Sequence, residues 1–408
     1  MQEFPWLKYY PDSVPHTVDV TAYANLVEMF DESVSKYKDA VAYECMGKTL
    51  TFKELGELST SFAAFLQQEL KMKKGDRLGI QMPNLLQYPV ALFGALKAGL
   101  VVVNVNPLYT PSEMKHQYTD AGVDAIVILA NFAANLEKIR GEIKVKHIII
   151  TQIGDLLGGI KGRVVNLVVK HVKKMVPPYN VPGALRFNDA LKRGARLQYK
   201  KESLNRSDLA FLQYTGGTTG VSKGAELSHG NIVANMQQIS AWMKPRLREL
   251  EETVITALPL YHIFALTVNC LSMLKIGAHN VLITNPRDMP AFCKEMSKHK
   301  FTVFLGVNTL FNGMLNYKPF HQLDFSGLKV AVGGGMAVQK AVAERWKNVT
   351  GCPLSEGYGL TETSPVASCN PIDGTERLGT IGLPLPNTNI KVIDDEGNDL
   401  GVGEKGEL

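Results

Sequence analysis

Short apolar runs alternate with helical stripes along much of this chain. The apolar runs, which are typical of buried strands, lie near residues 77–82, 100–104, 125–130 and 147–151. Apolar residues at helical spacing occupy 86–97 and 111–121 between these runs. Because strands that alternate with helices usually form parallel sheets covered by those helices, the pattern predicts an α/β fold.

Helical signals also mark the amino-terminal part of the chain. An apolar stripe at helical spacing consists of Leu26, Met29, Phe30, Val34 and Tyr37. Thr51 and Glu54 have the spacing of a capping box and stand before a second apolar stripe. We therefore expect two helices before the first strand of the alternating pattern.

The alternation restarts after residues 177–207. Further strands are predicted at 208–214, 253–258, 279–284, 301–305 and 328–332. Ser228 is placed to cap a helix that runs to about residue 243. The second half of the chain therefore repeats the α/β pattern of the first half.

Beyond residue 372 the pattern changes to short strands, with a strand at 388–394 and a turn at 395–398. We expect two helix-covered, largely parallel sheets and the beginning of a small β subdomain. The expected units are a first α/β subdomain at 1–205, a second α/β subdomain at 206–371 and the start of the β subdomain at 372–408.

Composition excludes several classes of protein. The 408 residues are 45% hydrophobic and 20% charged, and no stretch of about 20 apolar residues predicts a membrane span. The net charge of +5 is too small and too dispersed to indicate a nucleic-acid partner. An acidic, proline-containing amino terminus and five scattered cysteines favour a cytoplasmic protein with reduced thiols. The sequence leaves the oligomeric state open, with a homodimer among the alternatives.

Residues 160–176 interleave valine and leucine with lysine, arginine and histidine. If helical, this segment has the composition of a helix that lies on an anionic membrane surface, such as the inner face of the cell membrane. The alternative is a solvated helix that packs only on its own domain.

Residues 214–224 contain a glycine- and threonine-rich segment directly after the predicted strand at 208–214. Glycines let backbone N–H groups approach an anion, and hydroxyls and Lys223 add donors and charge. The usual phosphate-loop pattern fails, because Lys223 is followed by Gly224 and not by a hydroxyl residue. The placement at a strand's carboxyl end predicts a polyphosphate site of another kind.

Four segments together resemble the adenylate-forming superfamily, which includes acyl-CoA synthetases, luciferases and the adenylation domains of peptide synthetases. They are residues 214–224, 258–264, 333–335 and 356–365. The resemblance covers essentially the whole chain. Residues 82–84, 104–110 and 285–288 are similar, more narrowly, to bacterial long-chain fatty-acid–CoA ligases.

The resemblance implies ATP, Mg²⁺ and CoA as ligands. In that family a carboxylate attacks the α-phosphorus of ATP, pyrophosphate leaves, and the CoA thiol then displaces AMP. By resemblance Thr215 and Glu362 hold Mg²⁺, and Tyr358 stacks on adenine. The phosphates would lie against Gly216, Gly217, Thr218, Thr219, Gly220 and Lys223.

The remaining matched positions surround the base and the reacting groups. Gly334, Gly335, Glu356 and Gly357 would approach the base, and Thr361 the α-phosphate. His262 would orient the substrate carboxylate; together with Lys223 and Thr361 it forms the expected catalytic set. A carboxylate nucleophile needs no base at pH 7.

The segment 263–266, which follows His262, is apolar and offers no partner to an amino group. This favours a fatty acid as the substrate. A medium-chain or aromatic acid remains an alternative, as does a non-catalytic nucleotide-binding or membrane-surface module. Members of the family also continue into a mobile carboxy-terminal domain. We expect this chain to be without that domain and therefore impaired in turnover.

Overall fold

The computed structural model describes residues 4–216 and 221–408. The strands are β1 (Val41–Cys45), β2 (Lys48–Thr51), β3 (Arg77–Gln81), β4 (Val101–Asn104), β5 (Ala125–Leu129), β6 (His147–Thr151), β7 (Leu185–Arg186), β8 (Leu209–Thr215), β9 (Lys223–Ser228), β10 (Thr253–Thr256), β11 (His279–Leu282), β12 (Val303–Gly306), β13 (Val330–Gly333), β14 (Leu354–Gly359), β15 (Val366–Cys369) and β16 (Leu383–Pro384).

The α-helices are α1 (Leu26–Lys36), α2 (Phe52–Gln68), α3 (Gln87–Lys97), α4 (Pro111–Asp120), α5 (Ala133–Ile139), α6 (Gly159–Leu167), α7 (Phe187–Gly194), α8 (His229–Met243), α9 (Ile263–Ala265), α10 (Met273–Lys275), α11 (Met289–Met296), α12 (Asn308–Leu315) and α13 (Lys340–Thr350). A π-helix, Leu266–Ser272, joins α9 to α10, and another, Val168–Val172, continues α6. A 3₁₀ turn, Thr361–Thr363, follows β14.

These strands form two largely parallel sheets, which confirms the predicted α/β fold class. One sheet has the order β7-β6-β5-β3-β4-β8-β9 and is parallel except at β8–β9. The other has the order β16-β15-β14-β13-β12-β10-β11-β1-β2 and is antiparallel only at its two ends. One large apolar core contains residues of both sheets, and two smaller cores lie against one sheet each.

The chain crosses between the sheets twice. The hairpin β1–β2 joins the nine-stranded sheet through β11, whereas β8 and β9 complete the seven-stranded sheet beside β4. The sheets therefore do not divide at residue 205, and the units predicted at 1–205 and 206–371 stay a prediction about domain organisation.

Local signals located the helix starts correctly. The Glu54 N–H donates to Thr51 Oγ1 over 3.1 Å, and the Thr51 N–H donates back to Glu54 Oε2 over 2.8 Å. Ser228 caps α8 in the same way, with Asn231 as its partner. These reciprocal bonds satisfy N–H groups that the first turn of a helix leaves unpaired.

The strand predicted at 388–394 is wrong. Only Ile393 in this range forms β-bridges, to Asp399 and Glu407, and the surrounding backbone makes no ladder. The predicted turn after it is present, because Asp394 accepts the N–H groups of Glu396 and Asn398. A side chain that accepts backbone N–H groups in this way favours a turn over a strand.

All five cysteines are buried and form no disulfide. Across residues 4–216 and 221–408, no helix combines the length and apolar character that crossing a membrane requires.

Candidate active site

A cavity of about 600 Å³ opens between the two sheets. The carboxyl ends of β4 and β8 supply one wall, and the carboxyl-terminal parts of β12, β13 and β14, with the residues just after β13 and β14, supply another. Ligand sites of open α/β sheets lie at such strand ends. The cavity therefore occupies the position that the fold class predicts for a site.

Most of the predicted site residues line this one cavity. The residues that line it are Thr215, Gly216, His262, Gly334, Gly335, Gly357, Tyr358, Thr361 and Glu362. Gly217, Thr218, Thr219 and Gly220 lie outside the described residues. Lys223 and Glu356 are described but are not part of the cavity wall. Residues that are scattered over about 150 positions of sequence thus meet at one place.

The 3₁₀ turn that carries Glu362 packs against β8 and β9, the strands on either side of the glycine-rich segment. Thr215 is the last residue of β8, and both Thr215 and Glu362 face the cavity. Thr215 and Lys223 are paired neighbours in the β8–β9 ladder. The threonine hydroxyl and the exposed Glu362 carboxylate therefore share one opening.

Two predicted residues make contacts outside the cavity wall. The Val338 N–H donates to Glu356 Oε1 over 3.1 Å, so this carboxylate braces the segment after β13. Lys223 lies at the start of β9 with an exposed side chain. Both residues stand directly beside residues that line the cavity.

The local geometry favours glycine at 334 and 335. A Cβ atom on Gly334 would lie 3.1 Å from the Phe264 ring and 3.3 Å from the Gly357 carbonyl oxygen. Gly335 has a φ of +75°, which side chains disfavour. The flat wall formed by Gly334, Gly335 and Gly357 beside half-buried Tyr358 suits a planar ring.

His262 caps the helical run that begins with α9. The Phe264 N–H donates to His262 Nδ1 over 3.3 Å, so the neutral ring carries its proton on Nε2. His262 is exposed where it opens to the cavity, and partial desolvation by the surrounding protein lowers its pKa below the ordinary value. The residue is therefore a neutral hydrogen-bond donor at pH 7.

Buried amides fix the loop that carries His262. Asn84 Nδ2 donates to the carbonyl oxygens of Thr256 and Leu258, over 3.0 and 2.9 Å, and Asn84 Oδ1 accepts the Leu260 N–H over 2.8 Å. One buried side chain thus satisfies three backbone groups of a loop that water does not reach.

A second amide chain joins the sheets directly. Gln213 Nε2 donates to the Tyr261 carbonyl over 2.7 Å, and Asn104 Nδ2 donates to Gln213 Oε1 over 3.1 Å. The sequence did not assign Asn84, Asn104 or Gln213 to the site. The available signal was the position of Asn84 and Asn104 inside the two motifs at 82–84 and 104–110.

The other end of the cavity is apolar. It is lined by Ile239, Trp242, Met243, Val268, Leu305, Val332, Cys369 and Leu385. The Trp242 Nε1–H donates to the Asn370 carbonyl over 3.1 Å, which holds the indole in place. We call these eight residues the apolar arm. Burial raises the pKa of the Cys369 thiol to about 12, so this thiol is an inert part of the arm.

Known proteins are similar to this chain over nearly all of its length. The family described as "AMP-binding enzyme" matches residues 30–408. The chain is 55% identical over 403 residues to a long-chain-fatty-acid–CoA ligase of Escherichia coli, covering 99% of the chain and 72% of the relative. It is 52% identical over 405 residues to the enzyme of the same name in Haemophilus influenzae, with the same coverage.

Solved structures share the fold. An anthranilate CoA ligase in complex with anthranoyl-AMP superposes with a TM-score of 0.81 at 23% identity, covering 94% of this chain and 68% of that one. A long-chain-fatty-acid–CoA ligase from Archaeoglobus fulgidus has a TM-score of 0.79 at 21% identity, with 97% and 76% covered.

The His262 geometry predicts a titration below the ordinary value. NMR of the imidazole signals should give a midpoint under the usual histidine value of about 6.5, because crowding disfavours the charged ring and protonation ends the bond from the Phe264 N–H. The His262 signal is assigned as the imidazole signal that is missing from the spectrum of the variant His262→Gln. A midpoint at or above the ordinary value would contradict this arrangement.

Proposed function

Because the chain belongs to the AMP-binding enzyme family, we propose that it is an AMP-forming acid–thiol ligase that activates a long-chain fatty acid with ATP for transfer to CoA. The observation that carries this proposal is a single cavity with a polar end at Thr215, Tyr358 and Glu362 and an apolar arm that reaches Trp242. An enzyme that joins a nucleotide to an alkyl acid needs a polar part and an apolar part within one cavity.

The polar end fits a nucleotide. Tyr358 and the glycine wall at Gly334 and Gly357 would accept the adenine ring, and Thr361, which lines the same cavity, would approach the α-phosphate. The Thr215 hydroxyl and the Glu362 carboxylate are hard oxygen donors of the kind that Mg²⁺ prefers. When bound there, Mg²⁺ would reduce the repulsion between the phosphates and the incoming carboxylate.

His262 positions the acid between the two ends. Its Nε2–H is free to donate to an oxygen of the substrate carboxylate or of the α-phosphate, since Nδ1 is occupied by the Phe264 N–H. A neutral donor stabilises negative charge as it builds on the transferring phosphoryl group and takes no proton itself. Lys223, the ladder partner of Thr215, supplies positive charge beside the cavity.

The apolar arm fits an alkyl chain better than an amino acid. Its residues belong to α8, to the π-helix after α9, to strands of the nine-stranded sheet and, for Leu385, to the residue just after β16, and none of these eight residues carries a carboxylate. Each buried methylene contributes about 0.8 kcal/mol, which is roughly a fourfold gain in affinity. Tyr10 packs edge-on against Trp242, with ring centroids 5.2 Å apart, so the amino-terminal segment backs this part of the arm.

A series of acyl-adenosine sulfamates tests the substrate class. Calorimetry with this chain should show affinity rising by roughly fourfold per methylene until the arm is filled, well beyond a hexanoyl group. Adenosine sulfamate without an acyl group measures the nucleotide end alone. Tightest binding of a benzoyl or hexanoyl compound would instead favour the alternative of an aromatic or medium-chain acid.

Glu362→Gln tests the proposed metal ligand. The variant should bind ATP at least about tenfold more weakly than the parent chain in MgCl₂, because a contact to a charged group typically contributes ~1.5–3 kcal/mol. In EDTA the two proteins should bind ATP equally. Glu344→Gln, an exposed helical position, is the matched control. Equal binding by Glu362→Gln and the parent in MgCl₂ would show that the ion is held elsewhere.

We further propose that residues 160–176 lie on an anionic membrane surface. The segment is helical as far as Val172, and Val165 and Val169 face the protein core. Ile160, Val164 and Leu167, at spacings of four and three, form a second apolar stripe that is 80%, 52% and 58% exposed. Lysines at 170, 173 and 174 stand at its carboxyl end. An exposed apolar stripe flanked by cations matches anionic lipid.

Liposome co-sedimentation tests this surface. Vesicles of phosphatidylglycerol and phosphatidylcholine should retain the chain at low salt, and neutralising Lys170, Lys173 and Lys174 to Gln should reduce binding strongly, since each cation contributes about 1 kcal/mol near the surface. The control neutralises three other exposed lysines, Lys192, Lys200 and Lys201. An equal loss in both triple variants would leave only a non-specific charge effect.

A further inference from the structure

A second group of chemically capable side chains lies away from the cavity. Glu44 is on β1, Glu295 is on α11, His299 follows α11 and His279 begins β11. None of the four lines the cavity described above. Their side chains are only 14%, 18%, 12% and 24% exposed, in that order. Two half-buried carboxylates therefore face two imidazoles at the interface of a strand pair and a helix.

Three of these residues converge on one point. Single ligand atoms of Glu44, Glu295 and His299 all lie within 4.8 Å of one another. His299 Nε2 is 3.5 Å from Glu295 Oε1 and 3.9 Å from Glu44 Oε1. A tetrahedral ion with bonds of about 2.1 Å holds its ligands about 3.4 Å apart, so these separations are close to what such an ion needs.

The outer oxygens of the carboxylates have other neighbours. His279 Nε2 lies 3.3 Å from Glu44 Oε2, and the Lys298 ammonium contacts Glu295 Oε2. These contacts leave Glu44 Oε1 and Glu295 Oε1 directed toward His299. Outer partners of this kind orient metal ligands in known sites. His279 Nε2 is buried, and its close approach to Glu44 lacks the geometry of a hydrogen bond, so within the described residues this nitrogen has no hydrogen-bond partner.

We propose that Glu44, Glu295 and His299 bind a divalent transition-metal ion of the zinc class, with His279 as the outer partner of Glu44. One imidazole and two carboxylates form a donor set that suits Zn²⁺, whereas Mg²⁺ takes oxygen ligands almost alone. A solvent molecule would complete the coordination. Glu295 and His299 have the i, i+4 spacing that places two ligands on one side of a helix end.

The ion would fasten separate parts of the fold. Glu44 belongs to the hairpin β1–β2, which attaches to the nine-stranded sheet only through the β1–β11 pairing among the described strands. Glu295 and His299 belong to a helix connection more than 240 residues later. A metal that bridges them adds a cross-link between the hairpin and α11, and it binds only the folded chain.

Zinc binding by the metal-stripped chain tests the proposal. With ZnCl₂ and no nucleotide, we expect one equivalent to bind and to raise the melting temperature. Glu295→Gln and His299→Asn should each lose at least as much affinity as the roughly 10–100-fold expected for the outer variant His279→Asn. His171→Asn, an exposed histidine outside the cluster, and Glu362→Gln, in the cavity, should both retain the site.

If Glu362→Gln still binds zinc, this site is distinct from the Mg²⁺ site proposed in the cavity. Either proposal can therefore fail without the other. Failure to bind one equivalent, or undiminished binding by His299→Asn, would overturn the inference. If a variant does not fold, binding of Co²⁺ to the parent chain still tests the site, because that measurement needs no substitution. Intense visible bands of a four- or five-coordinate ion support the site, and the weak spectrum of hydrated Co²⁺ overturns it.

Discussion

The site depends on buried side-chain amides that bond the loop after β10. Gln213, on the seven-stranded sheet, donates to the Tyr261 carbonyl, and Asn84 satisfies three backbone groups of residues 256–260. A buried polar group left without its partner costs about 1–3 kcal/mol. The loop therefore has one well-determined position between the sheets. His262 follows Tyr261 directly, so the same hydrogen bonds fix its position.

This constraint explains why the cavity has both a polar part and an apolar part. The strand ends beside these amides are polar, because β8 ends at Thr215 and the turn after β14 presents Glu362. Behind His262 the chain becomes a buried helical run, and its Val268 faces α8 across the apolar arm. A charged head and an alkyl tail can thus be held on opposite sides of one imidazole.

Local chemistry made part of this predictable from sequence. The capping pair Thr51 and Glu54, the cap Ser228 and the alternating apolar runs act within a few residues, and the structure confirms them. The motifs around Thr215, His262 and Tyr358 are local runs of sequence, so they can be read without knowledge of the fold. Their assembly into one cavity was predictable only through the resemblance to a family.

Long-range pairing was not predictable. Tyr43 of β1 pairs with Asn280, and Asn84 bonds carbonyls more than 170 residues away, so no local pattern reveals either partner. Orientation was equally hidden: Glu356 turns its carboxylate to the Val338 N–H, not to the cavity. The depth of the apolar arm depends on Trp242 and on the amino-terminal Tyr10 behind it, which meet only in the folded chain.

The most direct test of the central claim is a crystal structure of this chain with palmitoyl-adenosine sulfamate. The account predicts adenine against Tyr358, the sulfamate between Thr215 and His262, and the alkyl chain along Val268 toward Trp242. An adenylate bound outside this cavity, or an alkyl chain directed away from the apolar arm into solvent, would contradict it.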